Sequence, residues 1–414
     1  MEAQDQEKQR REKSLARAAQ LKENIKDYLE VSQEIPSGYK DWERIKKNQA
    51  EIQSAFGVSS TEWFDWRWQL ANRVVDTDKL RELLNIDEEE AVDINTTGSR
   101  YRWAVSPYYL SLIDQDDPAD PVRRQSIPTA MEYYDTLGEM DPMDEENTSP
   151  APAITRRYPD RLIINVTNKC AMFCRHCQRR RDIGETDTNA TEETLKAALD
   201  YIRHNEEIRD VLLTGGDAFM LENDTIDWLL TELENIPHVE IKRLGTRSPV
   251  TLPYRVDDEL CEILSRHMPL YVNTQFNHPL EVTPDAGEAC MKMTRAGAAL
   301  GNQAVLLRGV NDNPYVMRKL NQELLRIMVR PYYIFHAKEV KGTSHFRTRV
   351  EEGIEIMEQL RGYTSGLAIP TYILNSPGGY GKTPILPNYL VNFYDEKVCL
   401  RTWENHIMEY KNRY

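Results

Sequence analysis

Arg161-Leu-Ile-Ile-Asn-Val-Thr167 runs directly into Asn-Lys-Cys170-Ala-Met-Phe-Cys174-Arg-His-Cys177, so an apolar, β-branched stretch ends on three closely spaced thiols. The first seven residues predict a buried strand, and the CxxxCxxC run then falls on the loop at its C-terminal end. Short apolar runs recur at 210–215 (DVLLTG), 241–246 (IKRLGT), 269–276 (PLYVNTQF), 303–309 (QAVLLRG) and 330–337 (RPYYIFHA), with helical periodicity between them. One intervening helix is expected to open on Thr283-Pro284, a hydroxyl cap followed by proline in the first turn. Repeated βα units predict a parallel sheet with right-handed crossovers. Six units are too few for a closed eight-stranded barrel, so the expected fold is α/β, a partial (β/α)6 barrel over 151–345 with function at the C-terminal strand ends.

On either side the pattern changes. Residues 1–60 read as a helical arm, with Leu15, Ala18, Leu21, Ile25, Tyr28 and Leu29 at helical spacing. Two readings fit that arm: a solvated helix packed on its own domain, or a contact in a homo-oligomer. Residues 61–150 read as a helical region and linker, in which the tryptophans of Glu62–Leu70 are core candidates and the Pro- and Asp-rich stretch 114–153 is a long loop. Residues 346–414 form the remaining C-terminal region.

The 414 residues carry 52 Lys+Arg against 67 Asp+Glu, a net charge of −15 without a basic block, which argues against nucleic acid or an anionic membrane as partner. The charged first residues do not have the form of a secretion signal, and no apolar run approaches the roughly 18 residues of a membrane span. A cytoplasmic protein is expected. Six cysteines, three clustered and three scattered, do not make the framework of a small disulfide-rich fold. Cys261, Cys290 and Cys399 lie in contexts that look helical and apolar, and are expected to be buried small hydrophobes.

Three thiolates suit three irons of a 4Fe-4S cube and leave the fourth iron open to a small-molecule ligand. A zinc site is the rival, but structural zinc takes four closed ligands, and His176 is too close to Cys177 for easy tetrahedral ligation. Two glycine-rich stretches follow: Leu213-Thr214-Gly215-Gly216-Asp217, and Asn375-Ser-Pro-Gly378-Gly-Tyr-Gly-Lys382-Thr-Pro. The second places a lysine where backbone can approach a ligand closely, and such an amine is a nucleophile for an aldehyde cofactor. A phosphate-binding P-loop would need a helix after Gly-Lys, and Thr-Pro follows instead.

Cysteine spacing after a first strand, then a GGD turn one βα unit later, resembles the radical S-adenosylmethionine superfamily. Within it the chain resembles the lysine 2,3-aminomutase family from about residue 60 to 390, through the Lys382 loop, Arg157-Tyr158-Pro159-Asp160-Arg161, Asn277-His278-Pro279, Leu307–Asp312, Arg330–Tyr333 and His345–Thr348. The resemblance implies a cluster on Cys170, Cys174 and Cys177, and S-adenosylmethionine contacted by Thr214, Gly215, Gly216 and Asp217, with Asn277, His278 and Gln303 near its adenosyl group. It further implies pyridoxal 5′-phosphate on Lys382 with Arg157, Tyr158 and Arg161 around the phosphate, Arg179 on the substrate α-carboxylate, and an electron donor such as flavodoxin or ferredoxin.

Two departures bear on the substrate. Lysine-acting members carry aspartates that embrace the remote ammonium, where this chain has Lys338 and Asn375. A like charge in place of an unlike one at about 4 Å changes the interaction by several kcal/mol at an effective dielectric of about 20. A substrate with a γ-carboxylate is therefore implied, making the expected reaction an isomerisation of L-glutamate to β-glutamate (3-aminoglutarate) through a 5′-deoxyadenosyl radical. Lysine or aspartate remain rival substrates. Relatives that bind zinc do so through cysteines this chain lacks, with Asn313 at one such position, so no zinc is expected. Rivals of another class are a pyridoxal-phosphate transaminase, which would not need the thiols, and a zinc-binding interaction protein.

Overall fold

The computed structural model describes residues 2–412, with side chains from residue 4. Its main sheet has nine strands in sequential order: β1 (Ile154–Thr155), β2 (Arg161–Thr167), β3 (Asp210–Gly215), β4 (Ile241–Gly245), β5 (Leu270–Thr274), β6 (Ala299–Leu306), β7 (Arg330–His336), β8 (Thr371–Ser376) and β9 (Gly381–Pro384). Strands β2 to β8 pair in parallel, and β1 and β9 close the two edges antiparallel. This is the α/β partial barrel expected, a curled half-barrel sheet with helices. All six expected strands form. β6 starts four residues before the apolar run that announced it, because Ala299–Asn302 alternate about a glycine and lack a run of large side chains. The sheet also continues beyond residue 345: β8 lies in parallel beside β7, and β9 folds back on it.

Alternation explains which face carries the site. In β2, Leu162, Ile164 and Val166 are buried toward the helices, while Asn165 and Thr167 open into the barrel. The covering helices supply the complementary stripe. Glu192–Arg203 is capped by Thr191, whose Oγ1 accepts from the Thr194 N–H at 3.2 Å, and buries Leu195, Ala198, Leu199 and Ile202 along one face. Each such large apolar side chain contributes about 1.5–3 kcal/mol of burial. Pro284–Arg295 is capped by Thr283 in the same way, at 3.0 Å.

Helices before the sheet close over it. Trp63 and Trp66 are buried, as expected, in short helices separated at Asp65, which caps the second. The stretch 114–153 contains short helices at Pro121–Ser126 and Ala130–Tyr133 and delivers the buried carboxylates Glu132 and Glu145 to the sheet's open end. Glu2–Glu23 is an exposed helix whose Arg17 pairs with Glu404 at 2.6 Å. The tail forms a separate three-stranded antiparallel sheet, β10 (Leu390–Tyr394), β11 (Lys397–Arg401) and β12 (Ile407–Lys411). Cys399 therefore lies in a strand, where a helix was expected; short alternation was masked by the charged residues around it. Cys261 and Cys290 are helical as expected. Among the described residues no helix is long and apolar enough to cross a membrane.

Candidate active site

A cavity of about 910 Å³ opens at the C-terminal ends of the parallel strands. The loop after β2 brings Cys170, Cys174 and Cys177 to it, the turn after β3 brings Thr214, Gly215, Gly216 and Asp217, and β6 brings Gln303. Arg157, Tyr158, Arg161, Arg179, Lys338, Asn375 and Lys382 line the same volume. The geometry thus brings together fifteen of the seventeen positions singled out in the sequence, all but Asn277 and His278.

Those two were expected near the adenosyl group, and both are turned into the protein. Asn277 bonds Gln125 at 2.8 Å and accepts from the Val305 N–H at 2.9 Å, and His278 caps a turn by accepting from the Leu280 N–H at 3.1 Å. Burial pushes the His278 imidazole down to about 3, so it is neutral. The family resemblance put both there; in this fold His278 caps a turn and Asn277 bridges Gln125 and Val305.

At the sulfur end, the thiols are free and partly buried, and burial raises the Cys170 thiol and lifts Cys177 to about 11. Asp217 is committed inward: its carboxylate accepts from the N–H groups of Phe219 (2.9 Å) and Arg247 (2.8 Å) and from Ser248 Oγ (3.0 Å). Gly216 is required by space, since a Cβ there would sit 2.4 Å from the Lys169 carbonyl oxygen. Arg247, not singled out in the sequence, donates from Nη1 to Cys174 Sγ at 2.8 Å. His176 accepts at Nε2 from the amides of Gln275 and Asn277, at 3.0 and 3.4 Å, and its Nδ1 lies buried at the cavity wall.

At the opposite end the surroundings are cationic. Lys382 is the second residue of β9, with its backbone N–H donating to Tyr158 Oη at 2.8 Å and its Nζ 5.5–5.8 Å from the rings of Tyr333, Tyr158 and Phe335. Burial, Arg243, Arg161 and Arg157 push its amine down to about 8. Gly381 must be glycine: its φ is +88°, and a Cβ would stand 2.9 Å from Tyr158 Oη. Arg161 stacks 3.9 Å over the Tyr158 ring. Lys338 Nζ donates to Gln178 Oε1, and burial together with Arg157 and Arg179 pushes it down to about 7. Asn375 faces Lys382 across the β8–β9 ladder, and its buried Nδ2 has no hydrogen-bond partner among the described residues.

Glu145 organises this end and had no sequence signal beyond its place in an acidic linker. It accepts from Arg179 at 3.1 and 3.2 Å, from Arg157 at 3.2 Å and from Arg181 at 3.2 Å. Although burial works against ionisation, these arginines and Lys338 hold its carboxyl down at about 2.

The Radical SAM superfamily profile matches residues 164–317, from within β2 to just past β6, and the Lysine-2,3-aminomutase profile matches 357–413. A glutamate 2,3-aminomutase of Clostridioides difficile (strain 630) is 54% identical over 396 residues, covering 96% of this chain and 94% of that one. The chain belongs to the lysine 2,3-aminomutase family. An L-lysine 2,3-aminomutase of Clostridium subterminale is 47% identical over 354 residues, covering 85% of each chain. This aminomutase-family chain is a radical S-adenosylmethionine isomerase, and its radical SAM domain implies a 4Fe-4S cluster and S-adenosylmethionine.

The residues present fit those groups. Three thiols on one loop with a guanidinium donor beside them suit an anionic metal–sulfur cluster. Among the described residues, no three His, Cys, Asp or Glu groups converge as they would on a single metal ion. Buried polar atoms at the cavity wall without protein partners, Asn165 Oδ1, Asn273 Nδ2 and Thr274 Oγ1, suit a polar ligand between the two ends. Lys382, with its lowered amine among arginines, suits an aldehyde cofactor that carries a phosphate.

Proposed function

We propose that this family member is a pyridoxal-phosphate-dependent 2,3-aminomutase that interconverts L-glutamate and β-glutamate. Lys382 is the residue that carries pyridoxal phosphate, Arg157, Tyr158 and Arg161 surround its phosphate, and Cys170, Cys174 and Cys177 hold the cluster. Thr214 and the GGD turn, with Gln303, border the S-adenosylmethionine site, and Arg179 takes the substrate α-carboxylate. An external donor such as flavodoxin or ferredoxin supplies the electron, in the cytoplasm, to an enzyme that works as a homo-oligomer.

The observation that carries the substrate reading is Lys338. Its amine stands at the cavity wall, next to Arg157 and Arg179 and with the unsatisfied Asn375 amide on the same wall, and a bound carboxylate would hold it as the ammonium. A remote ammonium would meet repulsion there; a γ-carboxylate would meet a cation and an amide donor. The 54%-identical relative named for glutamate supports the same reading.

When bound, the cluster and S-adenosylmethionine supply a radical that moves hydrogen, and pyridoxal phosphate supplies the conjugated ring through which an amino group can migrate. The chain's own part is binding and orientation. Arg179, pinned by Glu145, fixes the α-carboxylate; Lys338 and Asn375 fix the far end; Cβ is thereby held toward the sulfur end of the cavity.

The decisive assay is anaerobic incubation of the reconstituted protein with both organic cofactors and reductant, offering L-glutamate, L-aspartate and L-lysine in parallel. β-Glutamate is the expected product; β-lysine instead would overturn the reading of Lys338 and Asn375. A Lys338→Asp, Asn375→Asp double variant should move preference toward lysine.

A further inference from the structure

We infer that Arg247 raises the reduction potential of the cluster held by Cys170, Cys174 and Cys177, and that Glu281 and Gln125 hold its guanidinium against the Cys174 sulfur for that purpose. This rests on the proposal that the three thiols are the cluster's ligands.

Arg247 follows β4, whose C-terminal end points at the thiol loop. Every edge of its guanidinium is assigned. Nη2 donates to Gln125 Oε1 and Glu281 Oε1, both at 2.7 Å, Nε donates to the Gln275 carbonyl at 3.0 Å, and Nη1 donates to Cys174 Sγ at 2.8 Å. The partners are themselves fixed. Glu281 is fully buried and also accepts from Tyr109 Oη at 2.6 Å, Gln125 Nε2 at 3.1 Å and the backbone N–H groups of Asn277 and His278 at 2.5 and 3.0 Å. The guanidinium cannot turn away from the sulfur without abandoning a buried carboxylate.

The arrangement is lopsided. Among the described residues, no other side chain donates a hydrogen bond to a sulfur of the triad. A buried arginine–glutamate pair is a costly way to fill space, since an apolar side chain of similar volume often serves folding as well or better. What an apolar side chain cannot do is place a charged donor on a ligand sulfur. Such a donor withdraws electron density from the metal–sulfur core and favours the form with one more electron. The redox step affected is uptake of one electron by the cluster from the external low-potential donor, and no bond or proton of the protein changes in it.

The test is the midpoint potential of the cluster, read by electron paramagnetic resonance of the full-length, anaerobically reconstituted protein poised with dithionite and viologen mediators. Arg247→Gln keeps a donor and removes the charge; Arg247→Lys keeps the charge and removes the fork. At iron and sulfide contents matching the unaltered protein, the midpoint should fall in both, further in Arg247→Gln, so that a fixed poise reduces a several-fold smaller fraction of the clusters. A midpoint unchanged in a loaded variant overturns the inference, as would a lowered melting temperature with no shift, which marks a structural role. If Arg247→Gln does not load, Arg247→Lys decides alone. Failure of the unaltered protein to bind iron and sulfide would instead remove the cluster-ligand proposal, and this inference with it.

Discussion

The two ends of the cavity solve opposite electrostatic problems. At the sulfur end a single guanidinium, Arg247, is matched by the buried carboxylate Glu281, and burial raises the thiols of Cys170 and Cys177. At the other end Arg157, Arg161, Arg179, Arg243, Lys338 and Lys382 face chiefly Glu145 and Asp210, and positive charge is left over. Burial first, and the neighbouring cations after it, push the two lysines down to about 7 and about 8. A site balanced within itself has no need of ligand charge, whereas one that suppresses its own ammonium groups is prepared for anions. The sulfur end is therefore built to hold a cofactor of fixed charge, and the lysine end to recognise what arrives.

If the ends are separable in this way, mutations should divide cleanly between them. The largest effect is expected for Cys174→Ala, which should abolish turnover and iron–sulfide loading while leaving pyridoxal phosphate binding at its original level; joint loss of both would break the division. Lys382→Ala should do the reverse, removing the bound cofactor's visible band and at least about 10³ in turnover while iron content is unchanged. A persistent band would refute Lys382 as the attachment point.

Lys338→Met sharpens the comparison within the cationic end. Loss of a charge-assisted bond of about 1.5–3 kcal/mol should raise the KM for glutamate roughly 10- to 100-fold, with much less effect on kcat. The same variant should melt higher at pH 6. The folded-state value of Lys338, about 7, lies below its ordinary 10.5, so the protein bears the full cost of the buried charge below pH 7 and loses that cost as pH rises toward 10.5. A lower melting temperature would mean that the ammonium supports the fold.

The smallest effect is a proton. Above pH 7 Lys338 is mostly neutral in the ligand-free site, and a bound carboxylate restores its charge, so glutamate binding at pH 8 should take up close to one proton and weaken up to tenfold per pH unit. Calorimetry in buffers of different ionisation enthalpy measures that uptake. It should vanish in Lys338→Arg, whose guanidinium stays charged.

Much of this was legible in the sequence because local pattern and chemistry agree there. β2, the thiol run and the GGD turn are adjacent in the chain and adjacent in space, and Lys382 is announced by its glycines. What could not be read is what only the fold brings together. Glu145 lies in a stretch that looks like a linker, and its value appears only when Arg157, Arg179 and Arg181 close on it. Arg247 follows an ordinary strand, more than seventy residues from Cys174. Asn277 and His278 differ: Asn277 bonds Gln125 and the Val305 N–H, partners distant in the chain, and His278 caps its own turn, so neither lines the cavity.

The β8–β9 hairpin fixes a distance. Asn375 and Lys382 are direct partners across its ladder, so the group proposed to read the substrate's tail and the group proposed to anchor the cofactor stand about 5 Å apart on one ribbon. That ribbon works as a ruler. Its letters can change, and under the proposed reading substrate charge changes with them; its register cannot, because a slip of one residue in the Asn375–Lys382 pairing would turn Lys382 to the opposite face. New substrates are thus open to this scaffold by respelling position 375, and closed to it by any edit that shifts that register.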